Sequence, residues 1–213
     1  MNLQHVDCWP LFYATSVNNR YQITTRKAKT NMIGQHKIIF TGPVGAGKTT
    51  AITAISDIAP FSTEQTATDE TKEKKELTTV AMDYGSMRLD NGEMLHLYGT
   101  PGQERFNFMW DLLTDGSLGV IIMLDDANPD PLDDLQAFVG AFKDFIHNNA
   151  VAIGITRMEL RKGLKLADYQ AAMTKLDLNA PVFEVDARQH DDVMMLVQAL
   201  LYSLDPGLSG EGS

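Results

Sequence analysis

A glycine-rich stretch, GPVGAGKTT at residues 42–50, carries the residue types that bind phosphate. It satisfies the pattern G-x-x-x-x-G-K-S/T, in which glycines let successive backbone N–H groups curl around an anion. In this pattern the lysine contacts the β- and γ-phosphates, and the hydroxyl that follows it binds Mg²⁺. The strand-like run KIIFT precedes the stretch and the helix-like run AITAIS follows it, so a helix N-terminus would face the same anion. The candidate phosphate-binding residues are Gly42, Val44, Gly45, Ala46, Gly47, Lys48, Thr49 and Thr50.

Strand-like and helix-like segments alternate along the rest of the chain. Short apolar runs rich in β-branched residues are typical of parallel strands buried on both faces. Such runs occupy residues 37–41, 119–124, 151–156 and 181–185. Apolar residues at steps of three and four predict one helix on a segment opened by Asp130-Pro131 and another that follows Asp191-Asp192, acids well placed for a helix start.

Two more strand-like runs, at 77–89 and 93–98, flank Asp90-Asn91-Gly92, which is a strong hairpin signal. We therefore expect an α/β fold with a mostly parallel six-stranded sheet. One strand at the edge of this sheet would be antiparallel, and helices would cover both faces. We expect this domain to span residues 36–204, between a poorly ordered extension at 1–35 and a flexible tail at 205–213.

Two further motifs make the chain resemble small Ras-like GTPases from about residue 34 to residue 204. TPGQERF (100–106) resembles a phosphate-sensing loop that normally reads DT-x-GQE, and TVAMDY (79–84) is similar to the TIGVDF of Rab proteins. The TPGQ spelling looks closest to the bacterial branch related to the gliding-motility and conservon GTPases. The resemblance implies a P-loop NTPase (small G-protein) fold that binds GTP or GDP with Mg²⁺.

The resemblance also implies a role for individual residues. Thr79 matches the switch threonine that ligates Mg²⁺ together with Thr49, and Gly102 matches the glycine whose N–H contacts the γ-phosphate. Gln103 matches the glutamine that orients the attacking water, so Gln103 and Lys48 are the candidate catalytic residues. Loss of the γ-phosphate would then release the loops that contain Thr79 and Gly102.

Two positions depart from the Ras-like pattern around the phosphates. Gly99 stands where an aspartate normally supports Mg²⁺. A three-residue loop at 90–92 would place Asp83 opposite Gly99, whereas a two-residue loop would place Tyr84 there. Asp125 or an all-water coordination shell could equally replace the missing carboxylate. Val44, the second departure, replaces a small residue near the γ-phosphate, which predicts slow hydrolysis.

A third departure concerns recognition of the base. Ras-like proteins recognise guanine with N-K-x-D, but this chain has Thr156, Arg157, Met158 and Glu159 in that place. Glu159 can accept from the two guanine donors on a longer side chain, and the stem of Arg157 can lie on the face of the base. Asp186, Ala187 and Arg188 resemble an S-A-K loop, in which the Ala187 N–H would meet guanine O6. We expect guanine to be preferred over adenine.

Composition and charge limit the other functional classes. The formal net charge is −10, which argues against a nucleic-acid groove or an anionic membrane as partner. No apolar run has the length of a membrane span, so we expect a cytoplasmic protein without an intrinsic membrane anchor. The leading interpretation is a molecular switch that hydrolyses GTP slowly, and the alternative is a nucleotide-loaded interaction module with little or no hydrolysis. The resemblance implies effector and activator proteins as partners, including a Roadblock-type dimer.

Overall fold

A computed structural model describes residues 35–59, 61–62, 82–102, 113–160 and 164–204. The strands are β1 (Gln35–Thr41), β2 (Phe61–Ser62), β3 (Asp83–Arg88), β4 (Met94–Gly99), β5 (Gly119–Asp125), β6 (Ala150–Thr156) and β7 (Val182–Glu184). The helices are α1 (Lys48–Ile55), α2 (Pro131–Ala141), α3 (Lys143–Ile146), α4 (Leu166–Lys175) and α5 (His190–Leu204), with a 3₁₀ turn at Met158–Leu160. The predictions for the extension and the tail fall outside these residues, except for Gln35, which begins β1.

The strands form one sheet in the order β2-β3-β4-β1-β5-β6-β7. Strands β4, β1, β5, β6 and β7 run parallel, and β3 is antiparallel to β4. The predicted mostly parallel sheet with one antiparallel strand is therefore confirmed. Strand β2 is a seventh strand beyond the six expected, and it lies outside β3, so β3 is not at the edge of the sheet. It pairs with Asp83 and Tyr84 of β3, and its two residues are too few to show any period in the sequence.

Hydrophobic side chains cover both faces of the sheet. One core contains Ile38, Leu97 and Ile121 with Ile52 of α1 and Leu196 of α5. The other core contains alternate residues of the same central strands, packed against α2 and α4; its members include Ile39, Val120, Ile122, Leu135, Phe138, Tyr169 and Met173. Every residue of β5 and β6 is buried, which is the expected result of their continuous apolar runs. The predicted helices on both faces are confirmed.

The predicted helix starts agree with the structure, but one helix ends earlier than its pattern suggests. Pro131 lies in the first turn of α2 after Asp130, and Asp191 and Asp192 lie in the first turn of α5. The apolar period after Pro131 continues past residue 142, yet α2 ends there and the short helix α3 follows. In the part of the chain that the structure describes, no helix is both long and apolar enough to cross a membrane.

The β3–β4 hairpin has a three-residue loop. The Leu89 N–H donates to the Glu93 carbonyl at 2.9 Å, and Gly92 completes the loop with a φ of 85°. This loop sets the register in which Asp83 pairs with Gly99 and Tyr84 pairs with Tyr98. The arrangement with Tyr84 opposite Gly99 is therefore wrong, because it required a two-residue loop.

The end of α1 fixes the outer edge of β3. The Asp57 N–H donates to the Ser86 carbonyl at 2.8 Å, and the Arg88 N–H donates to the Asp57 carboxylate at 2.7 Å. Ser56 adds its hydroxyl, which accepts the Ser86 N–H at 3.1 Å. These bonds hold β3, and with it Asp83, at a set position relative to the phosphate-binding loop.

Candidate nucleotide-binding site

The loop between β1 and α1 has a backbone shape that strongly favours glycine. Gly42 and Gly47 have φ values of 136° and 93°, in the region that side-chain-bearing residues rarely adopt. A Cβ on Gly42 would lie 1.9 Å from the Met123 carbonyl oxygen, and a Cβ on Gly47 would lie 3.0 Å from Cβ of Ala187. The loop therefore packs directly against Met123 of β5 and against Ala187, which follows β7.

Backbone N–H groups of this loop are available to an anion. Among the described residues, none accepts a hydrogen bond from the N–H groups of Gly45, Gly47, Lys48, Thr49 or Thr50. Gly47 caps α1 without a side-chain hydrogen bond, and the first turn of the helix holds no acidic residue. Unpaired N–H groups at a helix N-terminus attract negative charge, so the loop is built to hold phosphate.

Lys48 lies inside this loop with only 8% of its surface exposed. Its Nζ donates to the carbonyl oxygens of Gly42 at 2.8 Å and of Pro43 at 2.6 Å. Burial lowers the Lys48 pKa to about 8, although the negative charge of Asp83 acts in the opposite direction. The ammonium group is therefore held in place where phosphate would compensate for its lost hydration.

Gly102 lies against the same lysine. A Cβ at Gly102 would be 2.6 Å from the backbone nitrogen of Val44 and 2.9 Å from Lys48 Nζ. Thr100, two residues before Gly102, is anchored to β1. Its N–H donates to the Phe40 carbonyl at 2.9 Å, and its hydroxyl bonds that of Thr41 at 2.8 Å. The sequence does not indicate the Thr100 anchor, since a threonine at a strand end carries no distinctive signal.

The space beside Gly99 is filled by the Asp83 carboxylate. A Cβ at Gly99 would lie 3.0 Å from Asp83 Cβ and 3.1 Å from Asp83 Oδ2. The same Oδ2 accepts a hydrogen bond from the Thr49 hydroxyl at 2.5 Å. The Asp83 carboxylate of β3 thus occupies the space that a side chain at Gly99 of β4 would take. The Thr49 and Asp83 oxygens are donors of the kind that hard divalent cations prefer.

Tyr84 and Asp125 are both engaged elsewhere. The Tyr84 hydroxyl bonds His96 Nδ1 at 2.8 Å and its ring packs on that of Tyr98. The Asp125 carboxylate forms an ion pair with Arg157 and accepts the Ala127 N–H at 3.0 Å. Of the three side chains that could compensate for Gly99, Asp83 is the one that the structure brings to Thr49.

Two of the residues predicted to recognise the base, Thr156 and Arg157, lie beside the loop. The buried Thr156 hydroxyl donates to the Leu124 carbonyl at 3.0 Å and lies 3.4 Å from the Ala46 carbonyl. Arg157 adopts a φ of 60° and its guanidinium donates to the Gly45 carbonyl at 2.5 Å. Glu159 is exposed on the 3₁₀ turn. The guanidinium of Arg157 therefore faces the phosphate-binding loop.

Residues 186–188 lie on another side of the phosphate-binding loop, where Ala187 is next to Gly47. The Arg188 guanidinium bonds the Asp186 carboxylate at 2.7 Å, which lowers the Asp186 pKa to about 2. The same contact, with a smaller effect from Glu159, raises the Arg188 pKa. Among the described residues, none accepts from the Ala187 N–H. The sequence pattern places Asp192 only at a helix start, but its carboxylate also accepts the Asp186 N–H at 2.8 Å.

Two of the predicted site residues, Thr79 and Gln103, lie outside the described residues. Their roles as metal ligand and water-positioning residue stay predictions. Of the other predicted residues, Gly102, Thr156, Arg157 and Ala187 lie against the loop that contains Lys48 and Thr49.

Other proteins are similar to this chain in sequence. Residues 40–204 match the model of a family described as "Conserved hypothetical ATP binding protein". The chain is 43% identical over 47 residues to an uncharacterized protein of Methanocaldococcus jannaschii, a match that covers 22% of this chain and 30% of that protein. It is 22% identical over 176 residues to the Ras-related protein RabC of Dictyostelium discoideum, which covers 80% of this chain and 84% of RabC. Because the family match takes in the phosphate-binding loop and all helices of the described fold, the chain belongs to this family of P-loop nucleotide-binding proteins.

Proposed function

We propose that the chain is a small GTP-binding protein that acts as a nucleotide-dependent molecular switch and hydrolyses GTP slowly. The observation that carries this proposal is the contact of Gly102 with Val44 and Lys48, next to a carboxylate that bonds Thr49. A γ-phosphate beside Lys48 would change the surroundings of Gly102, and hence of the segment that leads to Gln103. Loss of that phosphate would have the opposite effect, which is how such loops act as switches.

The chain supplies groups for both charge neutralisation and water placement. Lys48 would neutralise the phosphates, and Gln103 is the proposed residue that orients the attacking water. Thr49 and Asp83, with Thr79, would hold Mg²⁺. When bound, Mg²⁺ would add positive charge next to the β- and γ-phosphates and so support transfer of the phosphoryl group. Phosphoryl transfer depends mainly on such positioning and charge neutralisation.

Slow hydrolysis is proposed because of Val44. This side chain is 63% exposed at the loop, beside the position that Gly102 occupies. A branched side chain there would crowd an attacking water or an arginine supplied by an activator. The same feature favours the alternative, an interaction module that binds nucleotide and scarcely hydrolyses it.

GTP is proposed over ATP because of the base-side groups, although the family description names ATP. Guanine presents two adjacent donors, N1–H and the 2-amino group, that the Glu159 carboxylate can accept. Its O6 can accept the Ala187 N–H, for which no described residue provides an acceptor. Adenine would place a donor opposite Ala187 and an acceptor opposite Glu159, so both contacts would be lost.

The partners proposed for the switch are cytoplasmic effector and activator proteins that contact the loops around Thr79 and Gly102. By the Ras-like resemblance, a Roadblock-type dimer is one such activator or scaffold. Such proteins would bind the GTP-loaded form and the GDP-loaded form with different affinities. A binding assay with each nucleotide in turn measures that difference directly.

The phosphate site is tested with Lys48→Ala. Loss of its charge-assisted hydrogen bonds should raise the Kd for GTP by about 10- to 100-fold. Lys143→Ala, at an exposed position of α3, is the matched control and should leave the Kd unchanged. Normal GTP affinity in Lys48→Ala would refute the assignment of the loop.

Hydrolysis is tested separately by single-turnover measurements with GTP. Gln103→Leu should lower the rate, by up to about 100-fold if the water loses its alignment. Gln170→Leu, on the exposed side of α4, should leave the rate unchanged. If wild-type protein binds GTP without measurable turnover, the interaction module replaces the switch as the better account.

A further inference from the structure

Two buried threonines link the start of the phosphate-binding loop to the segment that contains Gly102. Thr41 is the last residue of β1 and is 0% exposed, and Thr100, which follows β4, is 2% exposed. Their hydroxyl oxygens lie 2.8 Å apart and share a hydrogen bond. Because Phe40 pairs with Gly99 in the parallel register, the two threonines continue this pairing by one residue. The hydroxyl bond thus closes the pairing of β1 and β4 at the end next to the phosphate-binding loop.

Each threonine lies within two residues of a glycine that contacts the buried lysine of the site. Gly42 follows Thr41 directly, and its carbonyl accepts a hydrogen bond from Lys48 Nζ at 2.8 Å. Gly102 lies two residues after Thr100, in a position where a Cβ would be 2.9 Å from the same Nζ. The hydroxyl bond therefore joins the two chain segments that meet at Lys48.

Pro101 makes the connection between Thr100 and Gly102 stiff. The proline ring fixes its own φ, and its Cδ restricts the preceding residue to extended conformations. Pro101 is also buried, so packing limits its movement further. Few backbone rotations therefore separate Thr100 from Gly102, and an anchor on Thr100 also limits where Gly102 can lie.

We propose that Thr41 and Thr100 are positioning residues whose hydroxyl bond holds Gly102 at the phosphate-binding loop, and that this bond sets how strongly the site prefers GTP to GDP. The inference rests on the proposed function and on the predicted contact of the Gly102 N–H with the γ-phosphate. GDP has no γ-phosphate, so its binding does not use Gly102. Without the anchor, binding of GTP would have to order this segment, and the cost would lower the affinity for GTP alone.

The experiment measures the Kd of GDP and of a non-hydrolysable GTP analogue for the full chain with Mg²⁺. The variants Thr41→Val and Thr100→Val each remove one hydroxyl and keep the branched shape of the side chain. Each should raise the Kd of the GTP analogue about fivefold, as expected for one lost hydrogen bond, and leave the Kd of GDP unchanged. Thr174→Val, at an exposed position of α4, is the matched control and should change neither Kd. Thr100→Ser keeps a hydroxyl and should retain most of the wild-type preference.

The double variant Thr41→Val/Thr100→Val separates positioning from stability. Either single variant leaves one hydroxyl buried without its partner, so it should unfold at a lower urea concentration than wild type. The double variant replaces both hydroxyls by methyl groups and should recover most of that stability, which keeps the test open if a single variant does not fold. Its preference for GTP should stay as low as in the single variants, because all three lack the same bond. A structural role alone would restore the preference together with the stability.

A folded double variant with the wild-type ratio of the two Kd values would overturn the inference, and so would equal losses of affinity for GDP and for the GTP analogue. If wild-type protein binds neither nucleotide, the proposed function fails. Wild-type binding with a preference for GTP that the variants retain refutes this inference alone.

Discussion

Exchanging the residues at positions 83 and 99 tests whether the carboxylate on β3 replaces the one missing from β4. The two positions are paired across the hairpin, so the exchange variant Asp83→Gly/Gly99→Asp moves one carboxylate between neighbouring strands. Asp83→Gly alone removes the only acceptor that the structure gives the Thr49 hydroxyl among the described residues. Gly99→Asp alone places two carboxylates in one space, where the new Cβ would be 3.0 Å from Asp83 Cβ.

The expected size follows from the contact of Asp83 with Thr49, the predicted metal ligand. Loss of a residue that orients a metal ligand typically lowers metal affinity by about 10- to 100-fold, or ~1.4–2.8 kcal/mol, and we expect this for Asp83→Gly. Gly99→Asp alone should be at least as defective, because like charges meet in a tight space. In the exchange variant the contacts with Asp83 disappear, and of the three nearest atoms there remains the flexible end of Ile52, 3.0 Å from the new Cβ.

The assay is the rate of release of a fluorescent guanine nucleotide as a function of free Mg²⁺. Asp83→Gly should need more Mg²⁺ to slow release, and the exchange variant should return most of the way to the wild-type curve. An Asp83→Gly curve that superimposes on the wild type would refute the assignment of Asp83. Equal defects in the single and the exchange variants, with both folded by circular dichroism, would show that the carboxylate does not act from this position.

Three further predictions concern pH, the loop backbone and the core. Since the Lys48 pKa is about 8, the cation is lost as pH rises through that value, so GTP affinity should fall between about pH 7 and pH 9 in wild type and much less in Lys48→Ala. Gly47→Ala and Gly116→Ala both place a Cβ at positive φ and should each lower the free energy of unfolding in urea by about 1–2 kcal/mol. Only Gly47→Ala should also weaken GTP binding, since open space surrounds Gly116. Tyr169→Phe removes a buried hydrogen bond of 2.5 Å to Asp126 and should lower the free energy of unfolding by about 1–3 kcal/mol without changing GTP affinity.

Much of the architecture could be predicted because the relevant signals are local and strong. Strands β5 and β6 are buried on both faces, and their sequences are unbroken apolar runs. The phosphate-binding loop combines a fixed pattern with the correct flanking elements. The Asp130-Pro131 start of α2 follows from the fixed φ of proline and its missing N–H.

Other features depend on contacts between distant segments and could not be predicted. The helical period continues across residue 142, yet α2 ends at Ala141, although the Phe142 side chain stays buried in the core on that face of the sheet. The choice between Asp83 and Tyr84 depended on a single residue of loop length, which shifts every side chain to the opposite face. The bonds of Arg157 and of Thr100 join segments far apart in sequence, and neither residue type indicates its partner.

The central claim is that this P-loop site binds GTP, and equilibrium competition between GTP and ATP against a fluorescent nucleotide tests it most directly. We predict that GTP binds with a Kd at least about tenfold below that of ATP, because adenine would leave both Glu159 and Ala187 without their complements. Equal affinities, or tighter binding of ATP, would contradict the account.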